Sequence, residues 1–177
     1  MGLSGNREPL EIERKFLISM PDRARLDAEA REKWEIRQVY LSGRPEQGSR
    51  RVRRVRCGGA EHWYYSEKIR LSDMTRIERE REITAEEAET LLEERDAAKR
   101  PIEKTRWRIP YGGRLLEVDV FPFWKRQAFC EVELPGEDAD YALPPYLRVL
   151  REVSGEHRYD NNNLAREIPA EEAEEDA

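Results

Sequence analysis

Apolar and polar residues alternate with a period of two along most of the chain. The runs fall at about 10–18, 34–41, 49–57, 62–70, 75–83, 101–110, 114–121 and 127–134, which predicts eight strands. Short turn-like segments (Ser42 to Gly48, Gly58-Gly59, Gly112-Gly113) join several of them and favour antiparallel neighbours over crossovers. Helical stretches are predicted at 21–32, with Pro21 in the first turn, and at 84–97, opening on the capping-box pair Thr84 and Glu87. Two more are predicted, at 144–152 and 161–166. With no internal repeat, the pattern implies a mainly β domain, a barrel or a sandwich.

Residues two apart in a strand share a face, and here that face is charged. Glu11, Glu13 and Lys15 lie together in the first strand, opposite a mostly apolar face. The split recurs with Arg51 and Arg53, with Ser66 and Lys68, with Glu78, Glu80 and Glu82, and with Lys104, Arg106 and Arg108. It continues in Glu117 and Asp119, facing away from Leu116, Val118 and Val120, and in Glu131 and Glu133, facing away from Val132 and Leu134. A solvated sheet face explains any one strand. It explains the set poorly, because the charges segregate into acidic and basic strands, and like charges side by side repel unless an opposite charge intervenes. Closed into a barrel with these faces inward, the strands would hold a wet lumen or one filled by a charged ligand, since burying an unpaired ion costs roughly several kcal/mol. A polyanion with divalent cations suits such a lumen: carboxylates ligate Mg²⁺ or Mn²⁺, and Lys and Arg bind phosphate oxygens.

Composition sharpens this picture. Of 177 residues, 38% are hydrophobic and 40% charged, so a conventional apolar core must be small. The net charge of −6 equals the six acids of residues 167–177, and the remainder balances at 32 acids against 32 Lys and Arg. A uniformly basic nucleic-acid face is therefore not expected. The acidic end, 167–177, is expected to be a solvated, disordered tail without functional weight, and residues 1–9 a leader. No apolar run is long enough to cross a bilayer and no signal-peptide core is present, so a cytoplasmic protein with neither membrane nor nucleic-acid partners is expected. Cys57 and Cys130 read as reduced core fillers, and neither a Walker A loop, a dinucleotide fingerprint nor a nucleophile elbow occurs.

The segment Glu11-Ile12-Glu13-Arg14-Lys15 resembles the ExExK signature of the CYTH proteins, the triphosphate tunnel metalloenzymes. It is followed in order by Arg51-x-Arg53, a strand carrying Lys68, Glu78-x-Glu80, Glu-Lys-Thr-Arg at 103–106, Leu-Glu-Val-Asp-Val-Phe at 116–121 and Glu-Val-Glu at 131–133. The resemblance implies an eight-stranded antiparallel β-barrel tunnel over 10–166 with helices packed outside. By position, the phosphate-binding set is Lys15, Arg51, Arg53, Lys68, Lys104 and Arg106. The metal set, for Mg²⁺ or Mn²⁺, is Glu11, Glu13, Glu78, Glu80, Glu117, Asp119, Glu131 and Glu133. Near the C-terminus His157 stands where the family often has lysine, and Arg158 is expected to take over that phosphate contact.

The implied activity is metal-dependent hydrolysis of a triphosphate, whether inorganic tripolyphosphate, thiamine triphosphate or a nucleoside triphosphate. Lys15 is expected to act at the reacting centre, neutralising the transferring phosphoryl group or taking a proton from water. An adenylate cyclase using the same tunnel, and a non-catalytic polyphosphate- or nucleotide-binding module, are the alternatives. Trp63, Tyr64, Tyr65, Phe121, Phe123 and Trp124 invite a base-stacking role, but core packing is the simpler expectation for most. A monomer or a homodimer is consistent with this reading.

Overall fold

The computed structural model describes residues 8–43 and 48–174. Its strands are β1 (Leu10–Ser19), β2 (Glu32–Tyr40), β3 (Gly48–Cys57), β4 (Ala60–Arg70), β5 (Thr75–Ile83), β6 (Ile102–Tyr111), β7 (Arg114–Val120), β8 (Gln127–Glu133) and β9 (Val149–Glu152). Its α-helices are α1 (Arg23–Glu29), α2 (Ala85–Leu92) and α3 (Asn161–Leu164), with a 3₁₀ turn at His157–Tyr159. The first eight strands run in the order β5-β4-β3-β2-β6-β7-β8-β1, and pairing of β1 with β5 closes them into an antiparallel barrel. Two hairpins set the register between neighbours. Cys57 pairs with Ala60 and Tyr111 with Arg114, each across two glycines at positive φ, 56° and 81° at Gly58-Gly59 and 56° and 75° at Gly112-Gly113. Such two-residue turns match the strand twist and need glycine where φ is positive.

Residues 144–152 correct one expectation, because their C-terminal part forms β9 and not a helix. β1 pairs with β5 only over Leu10–Ile12, which leaves its later edge open, and β9 fills that edge opposite Phe16–Ile18. Unpaired buried backbone is costly, so the vacancy decides the conformation against a weak helical periodicity. The other helices are shorter than predicted but fall in the predicted places.

Outward-facing side chains form the apolar layers. Phe16, Ile18, Trp107, Val118 and Val132 pack against Leu26 of α1 and against Leu147, while Val52 and Ile83 pack under Ala88 of α2. Full burial of a residue such as Leu26 contributes roughly 1.5–3 kcal/mol. The two longer helices thus cover the barrel from outside. Inside, one end is apolar: Leu17, Tyr40, Ile102 and Phe129 share the face of the charged residues but cluster with Phe121, Trp124, Tyr159 and Leu164.

Residues 167–174 also differ from the expectation of a solvated tail. Pro169 accepts a hydrogen bond from the Trp124 indole at 3.1 Å, the Glu171 carboxylate accepts from the backbone of Lys125 and Arg126, and Ala173 is buried. Composition signals disorder only where acids lack partners, and these find donors on the barrel. The rest of the predicted tail, 175–177, and residues 1–7 of the leader lie outside the described residues. Among the described residues no helix is long and apolar enough to cross a membrane.

Candidate active site

The barrel register gathers the acid-bearing strands β7, β8, β1 and β5 into one run that meets the basic strands β6 and β4 at its two ends. Across β1 and β8, Glu13 faces Glu133 and Lys15 faces Glu131; across β6 and β7, Arg106 faces Asp119 and Arg108 faces Glu117. Across β4 and β5, Lys68 faces Glu78 and Ser66 faces Glu80. The result is an interior cavity of about 420 Å³ lined by Glu11, Glu13, Lys15, Arg51, Arg53, Lys68, Glu78, Glu80, Lys104, Arg106, Glu117, Glu131 and Glu133. Every one of these was expected from alternation and motif order.

Ion pairs knit the walls. Lys68 Nζ lies 2.8 Å from Glu11 and 3.5 Å from Glu78; Arg51 reaches Glu78 at 3.4 Å and Arg53 reaches Glu80 at 3.1 Å. Ser66 Oγ donates to Glu80 at 2.7 Å. Arg106 meets Glu117 at 3.0 Å and Glu131 at 3.5 Å, and Lys15 Nζ meets Glu131 at 3.2 Å. The basic groups are nearly dehydrated, with Lys104 3% and Arg53 8% exposed. Dehydrated cations in such a density bind a polyanion strongly, because few water contacts remain to be lost.

The carboxyls divide in two. Burial favours the neutral form of Glu11 and Glu131, but Lys68 and Arg51 hold Glu11 well below the usual carboxylate range, and Lys15, Arg106 and Lys104 do the same for Glu131. Glu80 is also lowered, by Arg53 and the Ser66 hydroxyl against burial. Glu13 goes the other way: burial and the Glu131 and Glu11 carboxylates push it well up. Glu78 is raised by burial and Glu11, and Glu133 by burial and Glu117. Glu11 thus crowds Glu78, and Glu117 crowds Glu133, carboxyl against carboxyl. Two carboxyls crowded together in a buried wall form a site that gains from a cation.

These pairs fit a divalent cation of the magnesium kind. Among the described residues no three His, Cys, Asp or Glu side chains converge into a ready cage. Magnesium needs none, because one or two carboxylates together with substrate phosphate and water complete its shell.

Two expected ligands are not brought to the cavity. Asp119 has 0% exposure and lies beneath the wall, 2.6 Å from Lys104 Nζ and 2.7 Å from Arg106 Nε, with both its oxygens engaged. It anchors two bases from behind the cavity wall. Arg158 pairs with Glu156 and Glu172 and is absent from the cavity wall, because the 3₁₀ turn carries it away from the barrel interior.

Alternation had further information to give. Arg70, Arg76 and Arg108 share the faces of Lys68, Glu78 and Arg106, and all three line the cavity. Arg76 bonds Glu13 at 3.0 Å and Asp160 at 2.9 Å. No local signal marks Asp160 and Asn161–Asn163, which reach the cavity only because the C-terminal segment enters the barrel. Of the aromatic residues, Phe121 and Trp124 belong to the apolar plug, and Trp63 and Tyr65 pack beside α2. Trp34, which alternation places with Ile36 and Gln38, lies at the cavity with the Arg108 guanidinium 4.5 Å from its ring centre.

A family model described as the CYTH domain matches residues 9–167. An inorganic triphosphatase of Nitrosomonas europaea is 33% identical over 162 residues, covering 90% of this chain and 99% of that protein. Another, from Acetivibrio thermocellus, is 36% identical over 104 residues, 58% of this chain and 65% of its own length. Among solved structures, the inorganic triphosphatase NE1496 superimposes with a TM-score of 0.55 at 29% identity, covering 90% of this chain and all 100% of that one. The PH1819 protein of Pyrococcus horikoshii shares the fold, with a TM-score of 0.55 over 72% of this chain and 80% of that chain at 19% identity.

Proposed function

The chain belongs to the CYTH domain family, and on that footing we propose that it is a triphosphatase dependent on Mg²⁺ or Mn²⁺, with inorganic tripolyphosphate as its simplest substrate. The observation that carries this reading is the convergence of six expected bases and of two crowded carboxyl pairs, Glu11 with Glu78 and Glu117 with Glu133, on one cavity. A pure polyanion-binding module needs only the bases.

In this reading Arg51, Arg53 and Lys68 hold phosphate oxygens from one wall, and Lys104 and Arg106 hold them from the other. Glu11 with Glu78 and Glu117 with Glu133 would hold divalent cations, and Glu13, Glu80 and Glu131 complete the acidic wall. A bound divalent cation would neutralise phosphoryl oxygens and make water more acidic. Lys15 would neutralise charge on the reacting phosphoryl group; its ammonium is held by Glu131 and by the Tyr159 carbonyl at 3.0 Å. Burial and the Glu131 and Glu11 carboxylates raise Glu13, so an arriving cation favours its ionised form.

The test is phosphate release from tripolyphosphate, ATP and thiamine triphosphate with each metal. Orthophosphate from tripolyphosphate is expected, and Lys15→Ala is expected to lower kcat far more than it raises KM. Cyclic AMP and pyrophosphate as the main products from ATP would overturn the hydrolase in favour of a cyclase. Tight binding of tripolyphosphate without turnover under any metal would leave only a binding module.

A further inference from the structure

The acidic end of the chain is tied to the strands that carry the cavity. Glu172 N and Ala173 N donate to the buried Gln127 side-chain oxygen at 2.6 and 3.3 Å, and Glu171 caps the backbone of Lys125 and Arg126. With the Pro169 contact to Trp124, this segment lies along the start of β8. The Glu172 carboxylate then gathers Arg151, Arg158 and the Tyr159 phenol, at 2.8, 2.8 and 2.5 Å.

Tyr159 connects this network to the interior. Its ring is fully buried, edge-on to Phe129 at 5.5 Å and to Trp124 at 6.1 Å. Its backbone carbonyl accepts from Lys15 Nζ at 3.0 Å. That ammonium also meets Glu131 at 3.2 Å and the face of Phe129, 4.5 Å from the ring centre. Two of these groups, the Tyr159 carbonyl and the Phe129 ring, belong to or pack against a tyrosine whose far end is latched by the tail.

We propose that residues 169–173 form a clasp that fixes the position of Lys15 Nζ in the cavity, with Glu172 and Tyr159 as positioning residues. The phenol is suited to a permanent donor role: burial and the Glu172 carboxylate push it up to about 12, while Arg151 and the phenol hold Glu172 down at about 2 against a smaller opposing effect of burial. The catalytic consequence rests on the reading of Lys15 as acting at the reacting phosphoryl group. The placement itself does not.

The test separates the two. In the full-length labelled protein, the Lys15 side-chain ¹⁵Nζ–¹³Cε NMR signal, assigned by its loss in Lys15→Arg, is followed in Tyr159→Phe, Glu172→Gln and the double variant. The signal is expected to move in both single variants, and the double variant is expected to move it no further than the larger single effect, because the two act through one contact. A Lys15 signal unmoved in both folded single variants overturns the clasp. With tripolyphosphate and Mg²⁺, both variants are expected to lose about tenfold in kcat with KM nearly unchanged, since small displacements of a catalytic group are costly. Displaced NMR signals with parental kcat overturn its catalytic part. A parent protein inactive on tripolyphosphate overturns the hydrolase reading instead, and the NMR result still decides the clasp.

Discussion

Lys104 and Arg106 stand two apart on one face of β6, where like charges repel unless a carboxylate lies between them. Asp119 is that carboxylate, and its use as a counter-ion for both explains why an acid that matches the family's metal motif by position is withdrawn from the cavity. One Asp cannot fully offset two buried cations. Burial first and then Arg106 draw Lys104 down to about 8, against the pull of Asp119. Above about pH 8 the free protein thus loses charge at this ammonium, whereas a bound polyphosphate favours the charged form. Binding of a methylene-bridged triphosphate analogue between about pH 8 and 9 is therefore expected to take up a proton at Lys104, and affinity to fall as pH rises. Calorimetry in two buffers of different ionisation enthalpy reads the uptake, and Lys104→Gln subtracts the ligand's own titration. Equal proton uptake by parent and variant would sink the assignment.

At the scale of elements, period-two alternation sufficed for the eight barrel strands; in β1, β7 and β8 a mostly apolar face backs a charged one, so a one-residue slip would bury the wrong set. It also placed most of the cavity, Arg108 included; Arg70 and Arg76 lie on faces that the same alternation defines, but the motif does not include them and the sequence reading did not single them out. What alternation lacks is the partner of an edge. β9 exists because β1 has a vacant edge, and the tail is ordered because Gln127, Arg151 and the 125–126 backbone accept it; both facts depend on residues far away in sequence. Local chemistry does suffice at α2. Thr84 Oγ1 accepts from Glu87 N at 3.1 Å while the Glu87 carboxylate accepts from Thr84 N at 2.9 Å, as the spacing of the two residues predicts. Thr84→Ala is expected to cost about 1 kcal/mol in denaturant unfolding. Its kcat is expected to stay parental, since α2 packs on the outside of β3 and β4, against Val52, Trp63 and Tyr65. A variant as stable as the parent would mean that burial of Ala88 alone holds the helix.

For the whole molecule the governing quantity is the charge of the lumen. Among the described residues nine Lys and Arg side chains line it (Lys15, Arg51, Arg53, Lys68, Arg70, Arg76, Lys104, Arg106, Arg108) against eight carboxyls (Glu11, Glu13, Glu78, Glu80, Glu117, Glu131, Glu133, Asp160). A triphosphate entering alone brings negative charge beside those carboxyls, and a divalent cation entering alone meets the bases. Entering together, each neutralises what the other opposes. Magnesium and the methylene-bridged triphosphate are therefore expected to bind cooperatively, with a coupling of roughly 1–3 kcal/mol, about 5- to 150-fold in affinity. Reciprocity adds a check, because the analogue must tighten magnesium by the same factor that magnesium tightens the analogue. Calorimetric titrations of each ligand with and without the other, corrected for their association in solution, measure both factors. Glu133→Gln, which breaks one carboxyl pair while leaving every base in place, is expected to shrink the coupling, whereas Arg53→Ala is expected to weaken the analogue and largely preserve it. An analogue affinity independent of magnesium in the parent protein would mean that the carboxyls serve only to hold the bases, and the two-ligand lumen would have to be abandoned.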